Sequence, residues 1–336
     1  MARIRFACAV FASATVMAAA GFAHADDFYS GKSLSIVVGF SPGGGYDLYA
    51  RNLARHIGKH IPGNPSVLVQ NQPGAGSLTA VRSLDSTALK DGTVMVIFNA
   101  GLVTQSIVEP QMVRLDFRKL AWIGTVTPDF RVCYGFGPNG VSSWDDMMKR
   151  KEFILGSTAK GSGNYINGAT LRVVFNAPVR QILGFPGSAD QRIAIERGEL
   201  DGDCGSYSSI PLDWITSKKA HPFVRFIERR PPEIPESAVY IGNFAKTDEQ
   251  KQILDVVNSG DEVGRPFVMS NQVPPDRLAI IRKAFNETMA DPAFLADMAK
   301  QQLPVNPLTA EESEKILAKL EKASPAAIAK AKAIYQ

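Results

Sequence analysis

Three short stretches of the chain set glycine and small hydrogen-bonding residues immediately before helical sequence: "SPGGGYD" at 41–47, "GSTAKGSGN" at 156–164 and "FPGSAD" at 185–190. Residues of this type, at that place, suit anion binding. The first N–H groups of a helix have no partner within the helix, and the positive end of its dipole lies there. Glycine admits positive φ and lets the main chain come close to a ligand, while the serines and Asn164 add short donors. Any one such loop reads equally well as a tight turn and cap, but three of them facing one cleft favour a binding site. Around them, Tyr46 could wall a cleft and offer its hydroxyl. Asp47 reads first as a dipole partner in a helical first turn, with fixing of the loop as its functional alternative. Lys160 is the mobile cation a carboxylate could meet.

Other chemistries find little. A phosphate loop of the G-x-x-x-x-G-K-[ST] type lacks its lysine at "GSTAKGS", and the "GGGYDL" run lacks the third glycine of a dinucleotide fingerprint. No G-x-S-x-G elbow occurs, and no histidine stands beside a candidate nucleophile. His56 and His60 are spaced for metal on one helix face, but they sit in its last turn, where cations complement the dipole, and no H-E-x-x-H is present. His221, before Pro222, reads as a loop residue. Arg131, Arg172 and Arg192 are assigned to the surface, and Asp201 and Asp203 to a turn. Neither a metal nor a cofactor is expected.

These loops need rigid elements to aim them. "LSIVVGF" (34–40), "SVLVQN" (66–71) and "TVMVIFN" (93–99) read as strands, and Ala50, Leu53, Ala54 and Ile57 make the buried face of a helix between the first two. A second block alternates in the same way from "AWIGTV" (121–126) to "LDGDCGSY" (200–207), and the proline-rich "RRPPEIPES" (229–237) closes it. The remainder is mostly helical, with a break at Asp291-Pro292 and one strand in "EVGRPFVMS" (262–270). Such alternation implies an α/β fold with open, mostly parallel sheets, whose loops at the carboxyl ends of the strands face a crevice. A tail too poor in strands for a sheet of its own must return to an earlier domain. The expected organisation is therefore two lobes, 26–125 plus 243–336 and 126–242, with an interlobe cleft.

Residues 1–25 read as a secretory signal peptide. Arg3 and Arg5 precede an apolar stretch, and Ala23-His24-Ala25 supplies the cleavage site. Export to the periplasm and cleavage after Ala25 follow as expectations. The formal charge of +4 then falls to +2, which argues against a broad nucleic-acid or membrane footprint. Composition is that of an ordinary globular chain, 45% hydrophobic and 21% charged. Cys133 and Cys204 could pair in an oxidising compartment, but both lie in apparent strands, where a small buried apolar cysteine is the commoner case.

Taken in order, the motifs resemble those of the Bug family, the periplasmic solute receptors of tripartite tricarboxylate transporters. "IVVGFSPGGGYDLYAR" resembles the family's strand–PGG–x–x–D–x–x–AR opening, "VQNQPGAGSLTA" its second motif, "LKDGTVMVIFNA" its DG-T strand, and "GFPGSADQRIAIERGELDGD" its glycine loop and return. "VPPDRLAIIRKAFNETMADPAFLADM" resembles the helical C-terminal pattern. The resemblance implies a type II-like periplasmic binding-protein fold that closes on a carboxylate-bearing solute, di- or tricarboxylic or aromatic, and hands it to a membrane permease, without catalysis. A monomer with no cofactor and no nucleic-acid partner is expected. Carried onto this chain, the ligand-binding positions are Ser41, Gly43, Gly44, Gly45, Tyr46 and Asp47 in one lobe and Gly156, Ser157, Gly161, Ser162, Gly163 and Asn164 in the other. Asn99, Lys160 and Gly187 complete the candidate set. The second loop, "TAKGSGN", departs from the shorter run usual in the family, and "IPESAVY" only faintly keeps its proline-threonine-glutamate segment. An exported α/β hydrolase or transferase, or a sensing protein of the same fold, are the alternative readings.

Overall fold

The computed structural model describes residues 28–320 and 324–336. The expected signal peptide, 1–25, lies outside the described residues. The strands are β1 (Ser33–Val38), β2 (Ser66–Asn71), β3 (Val94–Ile97), β4 (Ala121–Thr125), β5 (Val132–Phe136), β6 (Phe153–Ser157), β7 (Val179–Leu183), β8 (Gly202–Asp203), β9 (Ala220–Arg225), β10 (Val239–Tyr240), β11 (Pro266–Met269) and β12 (Leu308–Thr309). They form two six-stranded sheets, ordered β12-β4-β11-β3-β1-β2 and β10-β9-β5-β8-β6-β7.

Both sheets are mixed rather than mostly parallel. In the first, β1 runs parallel to β2 and β3, while β11 pairs antiparallel with β3 and β4, and β12 antiparallel with β4. In the second, β6 is parallel to β7 and β8, whereas β5 is antiparallel to β8 and β9. The reason is the path of the chain. It leaves the first sheet after β4, builds the second, and returns to insert β11 antiparallel between β3 and β4.

Helices cover both faces of the first sheet, so its inner strands β1, β3, β4 and β11 are largely buried on both sides, while the edge strand β2 stays partly exposed. Ile36, Val38, Met95 and Ile97 point into one apolar cluster, and their neighbours Val37 and Val96 into the other, as the two-residue period of a strand requires. The helix Gly45–Ile57 buries Ala50, Leu53 and Ile57 against the first of these. The second sheet has the same construction, with Leu155 and Phe223 in one cluster and Val132 and Tyr134 in another.

Several elements depart from the expectation. "AHPFVR" forms β9, so His221 is a strand residue whose Nε2 lies 2.8 Å from the Gly137 carbonyl, not a loop residue. "LDGDCGSY" contributes only the two-residue β8. The helices Gly101–Val108 and Pro325–Tyr335 have no counterpart in the reading above. Cys133 and Cys204 are joined in a disulfide that ties β5 to the end of β8, so their pairing prevails over the expectation of free buried thiols. The tail adds β11 and β12 to the first sheet, but its last helix spans both sheets' territory. Ala331 and Ile334 share one cluster with Val108, with Tyr165 and Ile166, and with Val256 and Val257 of the returning helix Asp248–Val263.

Candidate functional site

Each of the three glycine loops ends in a helix of nine residues or more. The helices Gly45–Ile57, Gly163–Phe175 and Ser188–Glu196 start at Gly44, Ser162 and Gly187, none of which caps its helix with its own side chain, although the Gly45 amide donates to Ser209 Oγ and the Tyr165 amide to Asn164 Oδ1. Their first turns meet around one cavity of about 50 Å³ between the sheets. Gly44, Gly45 and Tyr46 line it from the first helix, Ser162, Gly163 and Asn164 from the second, and Ser188 and Gln191 from the third. Three helix starts of about +0.5 charge each therefore share one small cavity.

The loops reach this position because their side chains fix them from behind. Asp47 does not face the cavity. Its Oδ2 accepts from the Gly43 amide at 2.8 Å and from Arg51 Nε at 2.8 Å, and its Oδ1 from Asn71 Nδ2 at 2.9 Å. Burial would raise its carboxyl, but these donors outweigh that and hold it below its ordinary value. Of its two readings the structure favours loop fixing. Ser157 is buried with its Oγ accepting from Gln181 at 2.9 Å. The Gly161 carbonyl accepts from Asn99 Nδ2 at 3.1 Å. Gly161 and Gly43 take φ of +81° and +80°, which permits these turns.

The lobes are in contact at the cavity rim. Ser41 Oγ donates to Asp190 at 2.6 Å, Gly45 N–H to Ser209 Oγ at 3.2 Å, and Arg192 donates to the Gly43 and Ser209 carbonyls, both at 2.8 Å. A Cβ added at Gly44 would stand 2.7 Å from Ser188 Oγ across the rim. At Gly163 it would overlap the Arg131 guanidinium. These glycines are required by close approach as much as by any ligand.

Below the cavity lies a buried charge cluster. Arg131 pairs with Asp129 at 2.6 Å and Asp261 at 2.7 Å, and its Nη2 donates to Asn99 Oδ1 at 3.2 Å. Arg265 lies 3.6 Å from Asp129, donates to the Ser206 and Ser208 hydroxyls, and packs its guanidinium 4.6 Å from the ring centres of both Tyr46 and Tyr49. Burial, and then Asp129, push the Tyr46 hydroxyl above its ordinary range, so it stays protonated. Asp203 also lines the cavity. Burial raises its carboxyl to about 6, against the amide of Cys204 and the charges of Arg131 and Arg192.

Several sequence expectations are corrected. Arg131 is buried at the site rather than on the surface, and Arg192 is half-buried at the rim; Arg172 is exposed as expected. Asp203 is a buried strand residue rather than a turn residue. Lys160 is exposed, and its Nζ donates to the Gln336 carbonyl at 2.6 Å instead of meeting the cavity. Ser41, Gly43, Asp47, Ser157, Gly161 and Gly187 form the layer behind the wall, while Gly44, Gly45, Tyr46, Asn99, Ser162, Gly163 and Asn164 line it. Thr158, Gln191, Ser206, Ser209 and Arg265 were not singled out. For the arginines a sign existed: Arg131 in "FRVCYGF" and Arg265 in "VGRPFVM" each interrupt an apolar strand run, and a charge buried in a strand needs partners.

The histidines lie elsewhere. His56 Nε2 is 2.8 Å from Asp297 and His60 Nε2 3.3 Å from Asp291. Among the described residues no cluster suited to a metal occurs, and no helix is long and apolar enough to cross a membrane. A larger hollow of about 690 Å³, walled in part by Arg114, Asp116 and Phe117, lies in the first lobe away from all three glycine loops.

No family model matches the chain. A Bordetella pertussis protein described as a UPF0065 protein is 36% identical over 109 residues, and the match spans 32% of this chain and 31% of that relative's length. Among solved structures, the periplasmic binding protein BugD superposes with a TM-score of 0.71 at 18% identity, over 89% of this chain and 96% of that one. MatC from Rhodopseudomonas palustris, solved with bound malate, gives 0.70 at 15% identity over 91% and 99%. R. palustris Rpa4515, solved with adipate, gives 0.70 at 14% over 88% and 97%. The fold of this chain is that of the two-lobed periplasmic binding proteins.

Proposed function

We propose that this protein is a periplasmic solute-binding receptor of the Bug family type that closes its lobes, 26–125 plus 243–336 and 126–242, over a small organic carboxylate and delivers it to a tripartite tricarboxylate-type permease. The observation that carries this reading is the meeting of three helix starts on one interlobe cavity. Malate in MatC and adipate in Rpa4515 support a carboxylate as the ligand class. Export with cleavage after Ala25, transient docking to the permease and a monomeric state belong to the same proposal. The hydrolase alternative gains no support, since no histidine among the described residues lines the cavity.

Binding stabilises the closed state by the ligand's differential affinity for it. A thermal-shift screen over mono-, di- and tricarboxylates of about four to ten carbons tests the class. At a hundredfold excess over Kd the ligand adds about 2.7 kcal/mol of stability and a rise of a few degrees in the midpoint. A shift with amines or sugars but with no acid would overturn the reading.

A further inference from the structure

The cavity's polar groups divide into two sets. One comprises the main-chain donors of the three helix starts. The other comprises side chains: Gln191, in the first turn of the third helix, 1% exposed with neither Oε1 nor Nε2 hydrogen-bonded, and Thr158, in the second glycine loop, whose buried hydroxyl also lacks a partner. Leaving such groups unpaired in a closed interior is costly, and a ligand atom is the natural remedy. Asp203 stands with this second set. Its Oδ1 accepts from the Cys204 amide at 2.8 Å, and its Oδ2 lies against Gly205 at the cavity edge.

The charges decide what can enter. Arg131 is committed to Asp129 and Asp261, and Arg265 to Asp129, so both cations are already engaged inside the cluster. Arg131 and Arg192 act on the Asp203 carboxyl from nearby, but burial outweighs them. The attraction left for an anion is that of the helix starts, about +0.5 each, and Asp203 offsets much of it. One carboxylate is accommodated. A second, set against Asp203, would meet a carboxylate that no arginine among the described residues pairs directly.

We propose that the cavity selects an organic acid with a single ionised carboxylate at the helix starts and a hydrogen-bond donor, a hydroxyl or an ammonium group, at its other end against Asp203 and Gln191, and that it discriminates against dicarboxylates. This rests on the carboxylate-receptor reading and narrows it. Gln191 can accept from a hydroxyl through Oε1 and donate to it through Nε2, and Asp203 can accept from either donor.

Calorimetric titration at pH 7.5 with butanoate, 4-hydroxybutanoate, 4-aminobutanoate and succinate, and with their three-carbon counterparts, tests the proposal. A donor-bearing acid is expected to bind at least about tenfold more tightly than the plain acid and the dicarboxylate of the same length. Asp203→Asn should strengthen dicarboxylate binding and abolish any preference for ammonium. Gln191→Leu should remove most of the preference for hydroxyl, with circular dichroism establishing that both variants are folded. Dicarboxylates binding most tightly, unchanged in Asp203→Asn, would overturn this inference while leaving the receptor reading intact. Failure of every acid to bind would overturn both.

Discussion

A methyl group at Gly44 would stand 2.7 Å from Ser188 Oγ on the opposing lobe. Gly44 has an extended backbone that alanine adopts without strain, so the conflict arises only when the lobes close. Gly44→Ala should therefore weaken ligand binding by about tenfold, ~1.4 kcal/mol, while the melting temperature without ligand changes little. Equal loss of both would show that the position matters for folding instead. Asp203 gives a pH test. Its folded value near 6 lies above the ordinary 3.8 because burial outweighs Cys204, Arg131, Arg192 and Asn164. The protonated form is thus favoured by the fold. Its contribution to stability is complete below about pH 4 and is lost as pH rises through about 6. For a plain monocarboxylate that itself stays ionised, affinity should increase between pH 7.5 and 5.5, for one that bears an ammonium group it should fall, and Asp203→Asn should flatten both profiles. At this scale the sequence revealed the glycines and the loop-fixing Asp47, because their local spacing carries the reason for them. It did not reveal Arg131, Arg265, Gln191 or Asp203 as site residues, because their place at the cavity depends on how distant segments come together.

The helix that begins at Gly45 owes its orientation to Asp47, which holds the preceding loop through Gly43. Asp47→Ala removes that contact together with the Arg51 and Asn71 bonds, and should cost about 1 kcal/mol in denaturant unfolding. An unchanged midpoint would show that Arg51 and Asn71 are dispensable. The Cys133–Cys204 bond fastens the short β8, which carries Asp203, to β5 across a sequence separation of 71. Replacing both cysteines with alanine should lower stability by about 2–4 kcal/mol and weaken ligand binding as Asp203 becomes less well placed. Unaltered binding would separate the bond from the site. Long periodic elements were legible from pattern alone, including the helical break at Asp291-Pro292. β8, β10 and β12 were not, because two residues are too few to show a period. β9 was hidden by Pro222, although its neighbours Phe223 and Val224 are fully buried.

At the scale of the molecule, two lobes meet over the cavity, and the final helix Pro325–Tyr335 packs where both join. The return of the chain to the first sheet was readable from the strand-poor tail. The mixed order of the sheets was not, since it depends on where β11 inserts. The central claim is that a carboxylate is held by main-chain donors at the three helix starts. Amide chemical-shift mapping of the isotopically labelled protein, titrated with the acid that most raises its melting temperature, tests this directly. The largest shifts are expected at 44–47, 162–165 and 187–191. Shifts confined to the Arg114–Phe117 hollow, with these three turns unmoved, would contradict the account.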